Sequence, residues 1–99
     1  MRLSPEQVEI IRHITRELAG PEAKIWLFGS RLDDTAKGGD VDLMLELNTP
    51  AENPALLSAQ LSAKISRAFS GRKVDVLISA PNLLRLPIHD IAFEEGQLL

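Results

Sequence analysis

The chain contains no cysteine, and that absence removes a disulfide framework, a thiolate nucleophile and a cysteine zinc site together. It also lacks an excess of positive charge: 11 Lys and Arg stand against 14 Asp and Glu, a formal net charge of −3. A surface that coats nucleic acid needs many cationic contacts to phosphate, so direct nucleic-acid binding is not expected. No apolar run approaches the roughly 18 residues of a membrane span, and Met1–Glu6 has no apolar leader core. We therefore expect a cytoplasmic protein without membrane contact. No internal repeat or low-complexity tract interrupts the chain.

What is present is a 99-residue sequence that is 44% hydrophobic, enough for one two-layer core and too short for a separate substrate domain. Residues 1–99 read as one domain, so a large second substrate must come from outside.

Ser4-Pro5-Glu6-Gln7 predicts a helix start, with Ser4 as N-cap, Pro5 at the first helical position and Gln7 closing a capping box. Val8, Ile11, Ile14, Thr15 and Leu18 follow at helical spacing up to Gly20-Pro21, with His13 beside the stripe as a solvated or hydrogen-bonded residue. Lys24 to Phe28 is short, apolar and β-prone, and its Trp26 reads as a core aromatic ahead of a base-stacking one. Asp40 to Leu47 alternates, with Val41, Leu43, Leu45 and Leu47 on one side and Asp40, Asp42, Met44 and Glu46 on a polar side. Asn53-Pro54 opens a helix carrying Leu57, Leu61, Ile65 and Ala68 or Phe69, closed by Ser70-Gly71. A third strand follows at Lys73 to Ile78, and the tail shows Ile88, Ile91 and Ala92 at helical spacing before a Gly96 stop, with Pro87 expected to divide it. The sum is an α/β fold, a two-layer α+β domain with a small mixed sheet of three strands. Its Val41, Leu43, Leu45 face is expected under the first and third helices, with Glu46 and His89 at the surface.

The chemistry concentrates between Leu27 and Leu43. An apolar strand stops at Gly29-Ser30, where a glycine lets backbone approach a ligand and a hydroxyl with free N–H groups can hold phosphate oxygens. Arg31 to Gly39 reads as a short helical turn and a flexible approach to the acids. Asp40 and Asp42 are two apart on a strand, so their carboxylates share a face, as two ligands of a hard divalent cation or of a cation pair should. Asp75 repeats the pattern inside the next apolar strand, where an acid is unfavourable unless it is paired, hydrogen-bonded or metal-bound.

Gly29-Ser30-Arg31 after a strand, Asp40-x-Asp42 opening a second and Asp75 inside a third are together similar to the DNA polymerase β-type nucleotidyltransferase superfamily, and in size to its minimal nucleotidyltransferases. The resemblance covers nearly the whole chain, including the ending Ile91 to Leu99. It implies a minimal nucleotidyltransferase fold and transfer of a nucleoside monophosphate, AMP from ATP, to a hydroxyl. It implies two Mg²⁺ ions held by Asp40, Asp42 and Asp75, and a triphosphate held by Gly29, Ser30, Arg31 and Lys37. As in HEPN/MNT toxin–antitoxin pairs, it further implies a helical HEPN-type toxin partner encoded nearby, an acceptor tyrosine on that toxin, and antitoxin action. A homo-oligomer stays open. The chain departs from the family pattern in two places, Gly39 where Ser is frequent and Asp33-Asp34 where Gly is frequent. They keep a second reading in view: a weak or inactive module that neutralises its partner by masking it.

Overall fold

The computed structural model describes residues 3–29 and 41–99. Helix α1, Pro5–Ala19, starts as its sequence dictates: Ser4 Oγ accepts from Gln7 N–H while the Gln7 side chain accepts from Ser4 N–H, at 3.1 and 2.9 Å. It ends at Gly20, whose φ of +94° few side chains tolerate. Strand β1, Lys24–Phe28, leads to Gly29; β2 spans Val41–Glu46. Helix α2, Pro54–Ala68, is capped by Asn53 Oδ1 on Leu56 N–H, and it closes through Phe69, Ser70 and Gly71, the last two at positive φ. Strand β3, Val74–Ser79, helix α3, Pro87–Glu95, and a two-residue strand β4, Gln97–Leu98, complete the order.

The four strands form one mixed sheet in the order β3-β2-β1-β4. β1 is antiparallel to both β2 and β4, and β2 is parallel to β3. This is the expected small α+β fold with one strand more than the three expected. β4 has too few residues to show a period, and it exists because β1 offers it an open edge.

Alternation puts Ile25 and Leu27, Val41, Leu43 and Leu45, and Val74 and Ile78 on one face. Ile11 and Ile14 of α1, Leu61 and Ile65 of α2, and Phe69 pack against it, so the first two helices cover this face rather than the first and third. Helix α3 lies on the opposite face, over Phe28 and Met44, with Ala92 buried between. That face, expected to be polar beyond its acids, therefore carries a second small core: Met44 is fully buried. Trp26 is half-buried there, edge-on to Phe93 at 5.3 Å, with its indole N–H donating to Glu46 Oε1 at 3.0 Å. Glu46 is thus half-buried and bonded instead of surface-facing.

Helix α3 departs from expectation at two residues. Pro87 begins this helix instead of dividing one, because a missing N–H costs nothing at the first helical position. His89 is buried at 4% exposure. Its Nδ1 accepts from Leu86 N–H at 2.9 Å, and its Nε2–H donates to Ile78 C=O at 2.8 Å. Leu86 has no side-chain acceptor to cap the helix, so the residue three positions on satisfies the orphan N–H.

His89 also belongs to a pattern on β3, which is an edge strand. In the parallel pairing, Lys73 and Ser79 turn their carbonyls toward β2, so those of Val74, Val76 and Ile78 point outward. Ser62 Oγ donates to Val74 C=O, Ser58 Oγ to Val76 C=O at 2.8 Å, and His89 to Ile78 C=O. All three outward carbonyls are closed by side chains from the flanking helices. No helix among the described residues is long and apolar enough to cross a membrane.

Candidate functional site

The end of β1 and the starts of β2 and β3 meet at one end of the sheet. Phe28 pairs with Asp42 across β1 and β2, and Asp42 pairs with Asp75 across β2 and β3. Register partners point to the same face, so the two carboxylates stand side by side on strands about 4.8 Å apart. They lie on the α3 face, in an open groove of about 610 Å³ between α2 and the start of α3.

Gly29 explains how Asp42 fits. Its φ is +76°, and a Cβ built there would lie 2.5 Å from Asp42 Oδ2. The glycine leaves room for the carboxylate itself, a role that its place at the strand end did not disclose. Asp42 is half-buried in this seat. Asp75 is freer: its side chain is 55% exposed, with Lys73 Nζ 4.0 Å from its Oδ2.

Of the residues singled out in the sequence, Gly29, Asp42 and Asp75 are brought together here. Ser30, Arg31, Lys37 and Asp40 lie outside the described residues, as does the Arg31 to Gly39 turn. Among the described residues no three His, Asp or Glu side chains gather as a metal cage. The donor set nevertheless suits a hard divalent ion: two carboxylates in register, open to solvent on one side, with no competing soft ligand.

Sequence reasoning missed three features of this end. Ser58 and Ser62 line the groove from α2 while serving the β3 carbonyls. Ile88, read only as one of three apolar residues at helical spacing, also lines it and is 44% exposed. Arg72 precedes β3 and buries its Nη1 without a hydrogen-bond partner among the described residues. Such a donor is unusual and suited to an anionic oxygen; an arginine just ahead of an acid-bearing strand is the signal for it.

The chain matches none of the curated proteins with which it was compared. The model of the nucleotidyltransferase domain family matches residues 8–99, a span that includes the Gly29 turn and the strands carrying Asp42 and Asp75. With nearly its whole length matched, and its acids in register where the sheet opens, the chain belongs to the nucleotidyltransferase domain family of the DNA polymerase β-type superfamily.

Proposed function

We propose that this domain is a Mg²⁺-dependent enzyme that transfers AMP from ATP to a hydroxyl, and that the acceptor is a tyrosine of a helical HEPN-type toxin, which the transfer silences. The observation that carries the reading is the in-register pair Asp42 and Asp75 beside the Gly29 seat, in a chain whose family transfers nucleotidyl groups.

In this reading Asp40, Asp42 and Asp75 hold the metal ions, whose charge, when bound, offsets that of the triphosphate and of the leaving pyrophosphate. Ser30, the backbone after Gly29, Arg31 and Lys37 hold the β- and γ-phosphates, and Arg72 adds a further donor at the same end. The acceptor oxygen attacks the α-phosphorus in line, its proton passes to Asp75, and the bond from the α-phosphorus to the bridging oxygen breaks to release pyrophosphate. The half-exposed Asp75 faces the groove by which an acceptor can arrive, whereas Asp42 is fixed against Gly29.

The test is transfer of label from α-labelled ATP to the purified toxin encoded beside this chain, with Mg²⁺ or with chelator. Labelling of a toxin tyrosine that needs Mg²⁺ and disappears in Asp75→Asn is expected; Ser30→Ala should weaken it without altering the fold. A toxin that stays unlabelled yet is inhibited by the wild-type chain and by Asp42→Asn alike would replace this reading with the masking module.

A further inference from the structure

Asp42 and Asp75 are direct partners, yet the two are held by different means. Asp42 stands on β2, which has a strand on either side, and its carboxylate sits against Gly29. Asp75 stands on β3, where the sheet ends. Its side chain is 55% exposed, and its charged neighbour among the described residues, Lys73, lies 4.0 Å away. A contact that long does little to orient a carboxylate. Where Asp75 points therefore depends on how firmly its strand is held.

The outer side of β3 is gripped at the two residues that flank Asp75. Ser62 Oγ donates to Val74 C=O and Ser58 Oγ to Val76 C=O. A serine inside a helix ordinarily bonds back to its own preceding turn; these two reach across to the strand. The match is periodic, since four residues of helix rise about 6.0 Å and two residues of strand about 6.6 Å. Hydroxyls at 58 and 62 thus meet carbonyls at 76 and 74 in turn. One step further the ladder would need a hydroxyl at residue 54 for Ile78, but Pro54 has none and His89 serves that carbonyl. The two rungs from α2 fall on either side of Asp75.

Resting on the metal-dependent transfer reading above, we propose that Ser58 and Ser62 are positioning residues for Asp75. By fixing the peptide groups before and after it, they set the direction of its Cα–Cβ bond relative to Asp42, and with it the spacing that a shared divalent ion meets. The hydroxyls act through the strand, with their protons committed to its carbonyls.

The test reads metal affinity in the full chain without turnover. Mn²⁺, which shares the oxygen preference of Mg²⁺, is titrated in, and the loss of its free-ion signal in electron paramagnetic resonance gives a Kd. Ser58→Ala and Ser62→Ala should each raise that Kd, and together by about tenfold, as loss of a group that supports a metal ligand does. Thr at either position retains the hydroxyl and should restore the wild-type value. Ile14→Ala removes buried bulk from α1 and none of these bonds, so it should lower Tm and leave the Kd where it was. In transfer assays the double serine variant should recover most of its kcat at high Mg²⁺. An unchanged Kd in both single serine variants, or an equal rise in Ile14→Ala, would overturn the positioning role while Mn²⁺ binding by the wild type upholds the metal reading. A wild-type chain that binds no Mn²⁺ would remove both.

Discussion

One face of the sheet is closed by two fifteen-residue helices and holds a twelve-residue buried cluster, whereas the other is closed by a nine-residue helix and holds a buried cluster of three residues, Phe28, Met44 and Ala92. The difference divides the labour. Burial on the first face holds the strands in register, and that register sets Asp42 beside Asp75 on the second. Because α3 is short and rests over Phe28 and Met44, it stops short of the acids at the strand ends. A longer helix there would add buried area and close the groove.

The comparison can be broken from either side. The largest effect should come from Leu43→Ala: the side chain is fully buried under α1 and α2, and truncation should cost about 2–5 kcal/mol, read from urea unfolding. Against a total of roughly 5–15 kcal/mol for a domain, this should loosen both faces together. His89→Phe should come next. It retains bulk but leaves Ile78 C=O and Leu86 N–H without partners, a cost of about 1–3 kcal/mol; a melt unchanged from the parent would show that these groups find other partners.

Gly96→Ala tests the second face alone. The added Cβ would lie 2.2 Å from Ala92 C=O and 3.1 Å from Leu27 C=O, so the end of α3 must move, at about 1–3 kcal/mol. The indole of Trp26, which packs on Phe93 of α3, should report the shift in its near-ultraviolet signal while α1 and α2 keep the far-ultraviolet signal nearly intact. The smallest effect on stability should come from Asp42→Asn. Removing one of two neighbouring carboxylates relieves repulsion of at most about 1 kcal/mol once solvent screening is counted. In chelator the variant should melt at the parent's temperature or slightly above, yet lose the Mg²⁺-dependent rise in Tm that ligand binding to the folded state gives. A clear destabilisation in chelator would identify Asp42 as a structural acceptor in its Gly29 seat.

The apolar residues of the first face were legible in the sequence, because they follow from two periods and two well-marked helix starts, Ser4-Pro5 and Asn53-Pro54, but which helices cover it was not: α2 lies there in place of the expected third helix. The pairing of Asp42 with Asp75 was legible only as a coincidence of strand positions; that they are direct partners depends on the β2–β3 register, which no local pattern encodes. The second face resisted for a definite reason. Ile88 and Ile91 have the spacing of a buried stripe, but α3 turns His89 and Ala92 inward instead. The bonds from His89 to β3 and to Leu86 decide that orientation, and a tertiary hydrogen bond leaves no period behind. β4, two residues long, had none to leave.

The closed edge of β3 has a consequence in time as well as in space. Ser62 and Ser58 reach forward from their own helix to the strand that follows it, over 12 and 18 residues, whereas β2 meets β3 only across the whole crossover between them. Short closures cost less entropy and form first. On that ground α2 and β3 assemble as a unit before the sheet is complete, and β3 reaches β2 with two of its outward carbonyls already engaged. Ser58→Ala should then slow refolding in stopped-flow mixing rather than speed unfolding. The outward edge of the strand that carries Asp75 would then be partly closed before the sheet is complete, leaving only its β2-facing side open to another chain as the domain forms.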